Sequence, residues 1–291
     1  MLGQKLVAAL STDQHDVIAL DLGSEAVTNF DGSAYFQHDL TDRRSTSELI
    51  KRLQPEAIIH AAAMTAVDLC ESERERSWNV NVKATESLAH LAASVGARMF
   101  YISTDYVFDG EKGPYSENDL PNPVSYYGKS KLAGENAIRG KSDDWTIIRT
   151  IVLYGCGSGV KSSFVMWLLG ELRAGRPVRI VNDQWGNTTL AEDLVEAIAR
   201  LLASGKHGLF HMGGRDYLTR LEFAVRVARF FNLDERLIHP ITTVELQQPA
   251  KRPLRSGLIT EKAERELYYK FRDVEESLSI YKLCEDKLSI N

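Results

Sequence analysis

At 291 residues the chain is long enough for one large α/β domain or for two units sharing a core, and it needs no covalent staples to bury one. A composition 44% hydrophobic and 26% charged is that of an ordinary globular protein, and a formal charge of −5 excludes a primary nucleic-acid binder and gives no reason to expect a membrane partner. No run approaches the ~18 apolar residues of a membrane span, and no basic segment with a signal-type apolar run opens the chain, so a cytoplasmic location is expected.

In chain order, Val17 to Leu20 reads as a buried strand ending at Asp21, and Ser45 to Leu53 as a helix. Ala57 to Ala63 is a second apolar strand, followed by helical spacing from Arg74 to Val95. Met99 to Ile102 is a strand running into Ser103, Thr104 and Asp105; Ser125 to Ile138 is a helix; Trp145 to Ile148 is a strand ending at Arg149. Apolar runs without polar alternation suit parallel strands covered on both faces, and their alternation with helices predicts a doubly wound α/β sheet of the Rossmann type. After about Thr150 the rhythm changes. Gly155, Gly157 and Gly159 mark a loop, Phe164 to Leu172, Leu190 to Leu202 and Leu221 to Phe231 read as helices, and Val178 to Val181 and Leu209 to Met212 as short strands. Pro240, Pro249 and Pro253 punctuate a less regular tail. The expected division is a nucleotide-binding unit over 1–150, with 188–205 packing on it, and a smaller, partly interleaved C-terminal lobe over 151–291, with a ligand cleft between them.

Three cysteines, Cys70, Cys156 and Cys284, lie far apart without a C-x-x-C pair, which predicts buried or idle thiols in a reducing compartment and no metal site.

The chemistry concentrates at Tyr127 and Lys131. Four residues apart on a helix, they share one face, and an ammonium beside a phenol favours the phenolate and lowers its pKa from the usual value near 10. Such a pair suits protonation of a carbonyl oxygen that receives a hydride. Tyr-x-x-x-Lys alone is a weak motif. Thr104 strengthens it, because a hydroxyl just after an apolar strand lies where open α/β sheets place their ligands.

The segments STDYVFDG (103–110) and NPVSYYGKSKLAGE (122–135), with HAAAMTAVDLCESE (60–73), DQWGNTTLAEDL (183–194) and AKRPLRSGL (250–258), resemble the signature of dTDP-4-dehydrorhamnose reductases and their close relatives. That resemblance implies a catalytic trio of Thr104, Tyr127 and Lys131, with Tyr127 protonating a C4 ketone and Lys131 also bonding the nicotinamide ribose. It implies substrate contacts from Asp105 and Tyr106, adenine contacts from Asp39 and Leu40, and a cofactor wall of Ala62, Ala63 and Met64. Asp21 stands where a carboxylate binds adenosine ribose hydroxyls, which on charge alone favours NADH over NADPH. Lys251, Arg252 and Arg255 form a basic cluster that either clamps a diphosphate, Arg252 foremost, or is a solvated loop. Glu192 and Asp193 are expected to favour a helix N-terminus, His60 to be a packed core histidine, and Trp167 and Trp185 to pack the smaller lobe.

Two departures stand out. The opening Met1-Leu2-Gly3-Gln4-Lys5-Leu6 matches only the end of the Gly-x-x-Gly-x-x-Gly turn, with Gly3 as its last glycine, and the first, central strand is absent. The expectation is a slot in the sheet, and a start placed at an internal methionine, so that a longer chain would bind cofactor more tightly. Val152 stands where rhamnose-pathway reductases usually carry a tryptophan against the sugar, and in this it is similar to the regulatory β subunit of methionine adenosyltransferase.

The expected function is therefore NAD(P)H-dependent reduction of the C4 ketone of a nucleotide-activated 6-deoxy sugar, for surface polysaccharide, by a chain that can form a homodimer. The alternative is a non-catalytic dinucleotide-binding subunit that regulates a partner enzyme. An epimerase or dehydratase of the same superfamily is a third option.

Overall fold

A computed structural model describes residues 1–12, 15–23, 34–141, 144–157, 159 and 162–290. Helix α1 (Leu2–Thr12) is followed by strands β1 (Ile18–Asp21) and β2 (Ala34–Gln37), helix α2 (Arg43–Leu53) and strand β3 (Ala57–His60). A long helical stretch is then divided into α3 (Val67–Ser72), α4 (Arg74–Trp78), a π-helical turn (Asn79–Lys83) and α5 (Ala84–Val95). Strand β4 (Arg98–Thr104), helix α6 (Tyr126–Arg139) and strand β5 (Trp145–Thr150) complete the first half. The second half runs β6 (Leu153–Tyr154), α7 (Phe164–Arg173), β7 (Val178–Val181), β8 (Trp185–Gly186), β9 (Thr189–Leu190) and α8 (Ala191–Ser204). It ends with β10 (Gly208–Met212), β11 (Leu218–Thr219), α9 (Arg220–Phe230), β12 (Ile238–Ile241), α10 (Thr243–Leu246), α11 (Glu261–Leu267) and α12 (Val274–Ile290).

The main sheet is parallel, in the order β10-β5-β4-β3, with Thr104 opposite Thr150 at its carboxyl edge. Alternate residues serve the two faces, as the pleat requires. Met99, Tyr101 and Ile147 pack under Ile50, Leu88 and Ile138, whereas Phe100 and Ile148 pack under Leu2, Leu6, Leu194 and Ile198. Helices thus cover both faces, and the expected doubly wound sheet is present. Strands β1 and β2 pair only with each other, and among the described residues no ladder joins β1 to β3. The expected slot lies there: Ile58 and Ile59 are only half-buried on β3, while Phe100 and Tyr101 on the neighbouring β4 are fully buried.

The second half builds its own core from α7, β7, α9, β12 and α12, around Leu168, Val227, Leu278 and Tyr281. Helix α8 and strand β10 cross back to the main sheet. The tail is more regular than expected. Ile238–Ile241 pairs with β7 despite Pro240, whose missing N–H is harmless on an edge strand. Val274, Ser277, Leu278 and Tyr281 form a buried helical stripe on α12.

A charged clamp fixes α6 against the strands. Glu135, fully buried, accepts two hydrogen bonds from Arg149 of β5 (2.9 and 2.7 Å), one from Ser103 Oγ of β4 (2.6 Å) and one from Arg139 (3.1 Å). Arg149 Nη1 also reaches Nε2 of His211 on β10 (3.4 Å). The approach is close enough that a Cβ on Gly134 would collide with the Tyr101 hydroxyl. Removing one partner of such a pair leaves a buried charge behind. Arg149→Leu should therefore cost about 3 kcal/mol of stability, at the low end of such losses because Arg139 remains. In urea unfolding, a loss below about 1 kcal/mol would show that the clamp does not hold the helix.

Candidate active site

Thr104 is the last residue of β4, and the chain turns there through a 3-10 turn (Asp105–Val107). Its hydroxyl oxygen caps that turn by accepting from Tyr106 N (3.2 Å) and donates to Asp105 Oδ1 (3.0 Å). Asp105 Oδ2 accepts from Ser256 Oγ at 2.5 Å. Burial pushes the Asp105 carboxyl up to about 6, against the opposing effect of the Ser256 and Thr104 hydroxyls.

Helix α6 opens above this turn, with its Gly128 N–H capped by Ser125 Oγ (3.2 Å) and its Tyr126 N–H by Glu71 Oε1 (2.7 Å). Gly128 lets it approach, since a Cβ there would strike the Tyr106 carbonyl. Tyr127, Lys131 and Glu135, each four residues from the next, form one buried stripe along α6. Tyr127 lies edge-on to Tyr106 (ring centroids 5.6 Å apart), near enough to the Thr104 hydroxyl for that group to act on its phenol. The anticipated depression of the Tyr127 pKa by Lys131 does not occur in this arrangement. Burial raises the phenol, the Thr104 hydroxyl opposes it, and Asp105 and Tyr106 add to the rise. The Lys131 ammonium instead rests over the Tyr101 ring, 4.0 Å from its centroid. Burial draws Lys131 down to about 7, with Glu135 acting in the other direction.

The expected cofactor residues sit at the carboxyl ends of the parallel strands. Asp21 ends β1, exposed and accepting from Gly23 N (3.1 Å); its charge opposes the burial that lowers the Met1 amine. Asp39 lies in the turn after β2, where bonds from the Thr41 N–H and hydroxyl hold its carboxyl below its usual range; half-buried Leu40 packs on the α2–α5 core. Ala62, Ala63 and Met64 follow β3, and Met64 is tied at both its N–H and its carbonyl to the Asn81 amide (2.8 and 3.1 Å). Gly3 lies exposed in the first turn of α1.

Asp105, Tyr106 and Val152 line a narrow cleft with Trp185, Arg220 and Ser256. Val152 has φ +39°, a strained backbone for a β-branched residue, and such strain gathers at functional sites. Its carbonyl accepts from Thr189 N (3.2 Å), which ties the strained turn to β9.

The RmlD substrate-binding domain model matches residues 1–282. The chain belongs to that family. It is 35% identical to the dTDP-4-dehydrorhamnose reductase of Sinorhizobium fredii over 94% of this chain and 92% of the relative. It is 34% identical to methionine adenosyltransferase 2 subunit beta of Rattus norvegicus over 71% of this chain and 64% of the relative. A crystal structure of dTDP-4-dehydrorhamnose reductase from Bacillus anthracis in complex with NADP superposes with a TM-score of 0.84, at 26% identity, over 93% of this chain and 99% of that one.

In this RmlD-family chain several side chains stand apart from their expected places. Arg252 is not free in the cleft: it pairs with Asp68 of α3 (2.8 Å) and bonds the Ala250 carbonyl (3.3 Å), although its charge still reaches Tyr106. Asp193 does more than favour a helix N-terminus, being fully buried and bonded to the Arg272 N–H (3.0 Å) and guanidinium, while Glu192 pairs with Lys5 (2.7 Å). Trp167 is largely exposed, whereas Trp185 stacks on Tyr217 and lines the cleft. His60 is the core residue expected, bonded to Thr85 (3.0 Å) and pulled down to about 3 by burial and the nearby Lys131 charge. Cys156 and Cys284 are a correction. They lie side by side, Cys156 just after β6 and Cys284 on α12, with Cα atoms 6.2 Å apart, a proximity that 128 residues of separation conceal.

Sequence reasoning missed Asn81, Glu135 and Arg220. Asn81 lies in the π-helical turn, where its amide joins the Met64 loop to Ser130 of α6 (3.0 Å). Glu135 was findable as the next step of the Tyr127–Lys131 spacing.

Asp105 makes this site pH-sensitive. With its folded value near 6 against the ordinary 3.8, the folded chain keeps a proton that the unfolded chain has released. Its contribution to stability is full below 3.8 and is lost as pH rises to about 6. The melting temperature of Asp105→Asn minus that of the unmodified chain should therefore grow across that window. A difference that stays constant would contradict the raised value.

Proposed function

We propose that the chain is a cytoplasmic sugar-nucleotide reductase that converts the C4 ketone of a nucleotide-activated 6-deoxy sugar, dTDP-4-dehydrorhamnose or a close relative, into an alcohol for polysaccharide synthesis. The observation that carries this reading is the meeting of Thr104 and Tyr127 at the carboxyl end of β4, beside a cleft. The likeness to reductases that span nearly the whole chain supports it.

The residues present suit a nicotinamide dinucleotide, NADPH or NADH. Gly3 lies in the first turn of α1, Asp21 ends β1, Asp39 lies in the turn after β2, and Lys131 stands one helical turn from Tyr127. When bound, that group supplies the hydride. The Thr104 hydroxyl then holds the substrate carbonyl oxygen, and Tyr127, kept protonated by burial, delivers its phenolic proton to that oxygen. Lys131 stabilises the resulting phenolate once its ammonium leaves the Tyr101 face. Asp105, Tyr106 and Val152 bound the sugar, and Arg252 holds Tyr106's surroundings through Asp68. Residues 1–150, with 188–205, form the dinucleotide-binding unit and 151–291 most of the substrate lobe. No helix among the described residues is long and apolar enough to cross a membrane. A homodimer, with neither nucleic acid nor membrane as partner, completes the proposal.

The aliphatic Val152 favours one second reading, the regulatory subunit, which would copurify with a stoichiometric enzyme partner and turn over no nucleotide sugar. Oxidation of NADPH by the purified chain in the presence of a dTDP-4-keto-6-deoxy sugar separates the two. Tyr127→Phe should lower kcat by about 100- to 10,000-fold, the usual worth of a general acid, with the fold intact by circular dichroism. Unchanged turnover in that variant would remove Tyr127 from the reaction.

A further inference from the structure

Buried guanidinium groups in this chain are normally paired. Arg149 has Glu135 and Arg252 has Asp68, and even the half-buried Arg272 has Asp193. Arg220 departs from that rule. Its Nη1 is closed off from solvent without a hydrogen-bond partner, and no carboxylate of the described residues lies within ion-pair distance. The group is held in place nonetheless. Thr219 and Glu222 form a reciprocal capping box (3.0 and 2.7 Å), Arg220 N donates to the Gln184 carbonyl (2.8 Å), and the guanidinium carbon lies 4.9 Å from the Phe164 ring centroid. Arg220 lines the same cleft as Asp105 and Tyr106. Asp105 is committed to Thr104 and Ser256. A cation with one nitrogen closed off from water and no carboxylate to pair with is costly to hold, and an entering anion recovers that cost. Arginine's planar fork suits an oxyanion that can accept two parallel hydrogen bonds.

We propose that Arg220 is an oxyanion-binding residue of the cleft, taking an anionic group of the bound sugar nucleotide at the start of α9. This rests on the sugar-nucleotide reading and deepens it. In a nucleotide-activated 6-deoxy sugar, which has no carboxylate, that anionic group is the diphosphate. The positive end of the α9 dipole adds to the attraction.

Calorimetric titration of the full chain and of Arg220→Met and Arg220→Lys tests this, with dTDP, thymidine, inorganic pyrophosphate, UDP-glucose and UDP-glucuronate as probes. If the diphosphate is the anion, Arg220→Met weakens dTDP and pyrophosphate by roughly tenfold or more and leaves thymidine unchanged, with Arg220→Lys between. UDP-glucose and UDP-glucuronate, which share the diphosphate, lose affinity to the same extent. That result supports the proposal. Melting temperatures of the variants should not fall, because no native ion pair is broken; a large drop would mean a structural role and overturn it. Nucleotide binding that is the same in all three proteins overturns the inference and leaves the reductase reading standing. Pyrophosphate held through Arg220 by a chain that binds no nucleotide does the reverse, and a chain that binds none of the probes sinks both.

Discussion

Glu135 is the point on which the site's geometry depends. One buried carboxylate on α6 collects donors from β4, from β5 and from its own helix, and through Arg149 it reaches β10. A carboxylate so far from water is tolerable only with its oxygens fully engaged, so the helix has one depth and one rotation relative to the sheet. The consequence is local and chemical. Lys131 and Tyr127, one and two steps of four residues earlier, are carried to the carboxyl edge of β4, where Thr104 ends the strand. Glycines at 128 and 134 make room for that approach.

The same helix shows why burial, more than charge pairing, sets the site's electrostatics. Tyr127, Lys131 and Asp105 are all displaced toward their neutral forms by loss of water, and their neighbours offset only part of it. A tyrosine held protonated is ready to give its proton to a carbonyl oxygen. The cleft beside it is bounded by a strained residue, Val152, and by Arg220, a cation with no ion-pair partner among the described residues. Both are features that a folded chain keeps at a cost, and both face the same space.

Much of this was legible beforehand. The strands β3, β4 and β5 stand out as apolar runs because both their faces are covered, and Tyr127 with Lys131 stands out because spacing by four survives any packing. Strand β2 escaped notice, since Ala-Tyr-Phe-Gln is short and half-exposed and pairs only with β1. Strand β12 was hidden by Pro240, and α12 by the proline-marked tail before it. The contacts of Arg252 with Asp68, of Cys156 with Cys284 and of Asp193 with Arg272 join residues far apart in the chain, and no local pattern announces them. The orientation of Lys131 over Tyr101 is a rotamer choice made by packing, which spacing on a helix leaves open.

The central claim, hydride delivery to a sugar ketone protonated by Tyr127, is tested most directly by isotope transfer. The purified chain would be given a dTDP-4-keto-6-deoxy sugar and reduced nicotinamide cofactor deuterated at the transferable C4 position, and the product examined by NMR. The account predicts deuterium at C4 of the sugar, with its transfer slowed by about 100- to 10,000-fold in the Tyr127→Phe chain. Deuterium that stays on the cofactor, in a chain shown to bind both ligands, would contradict it.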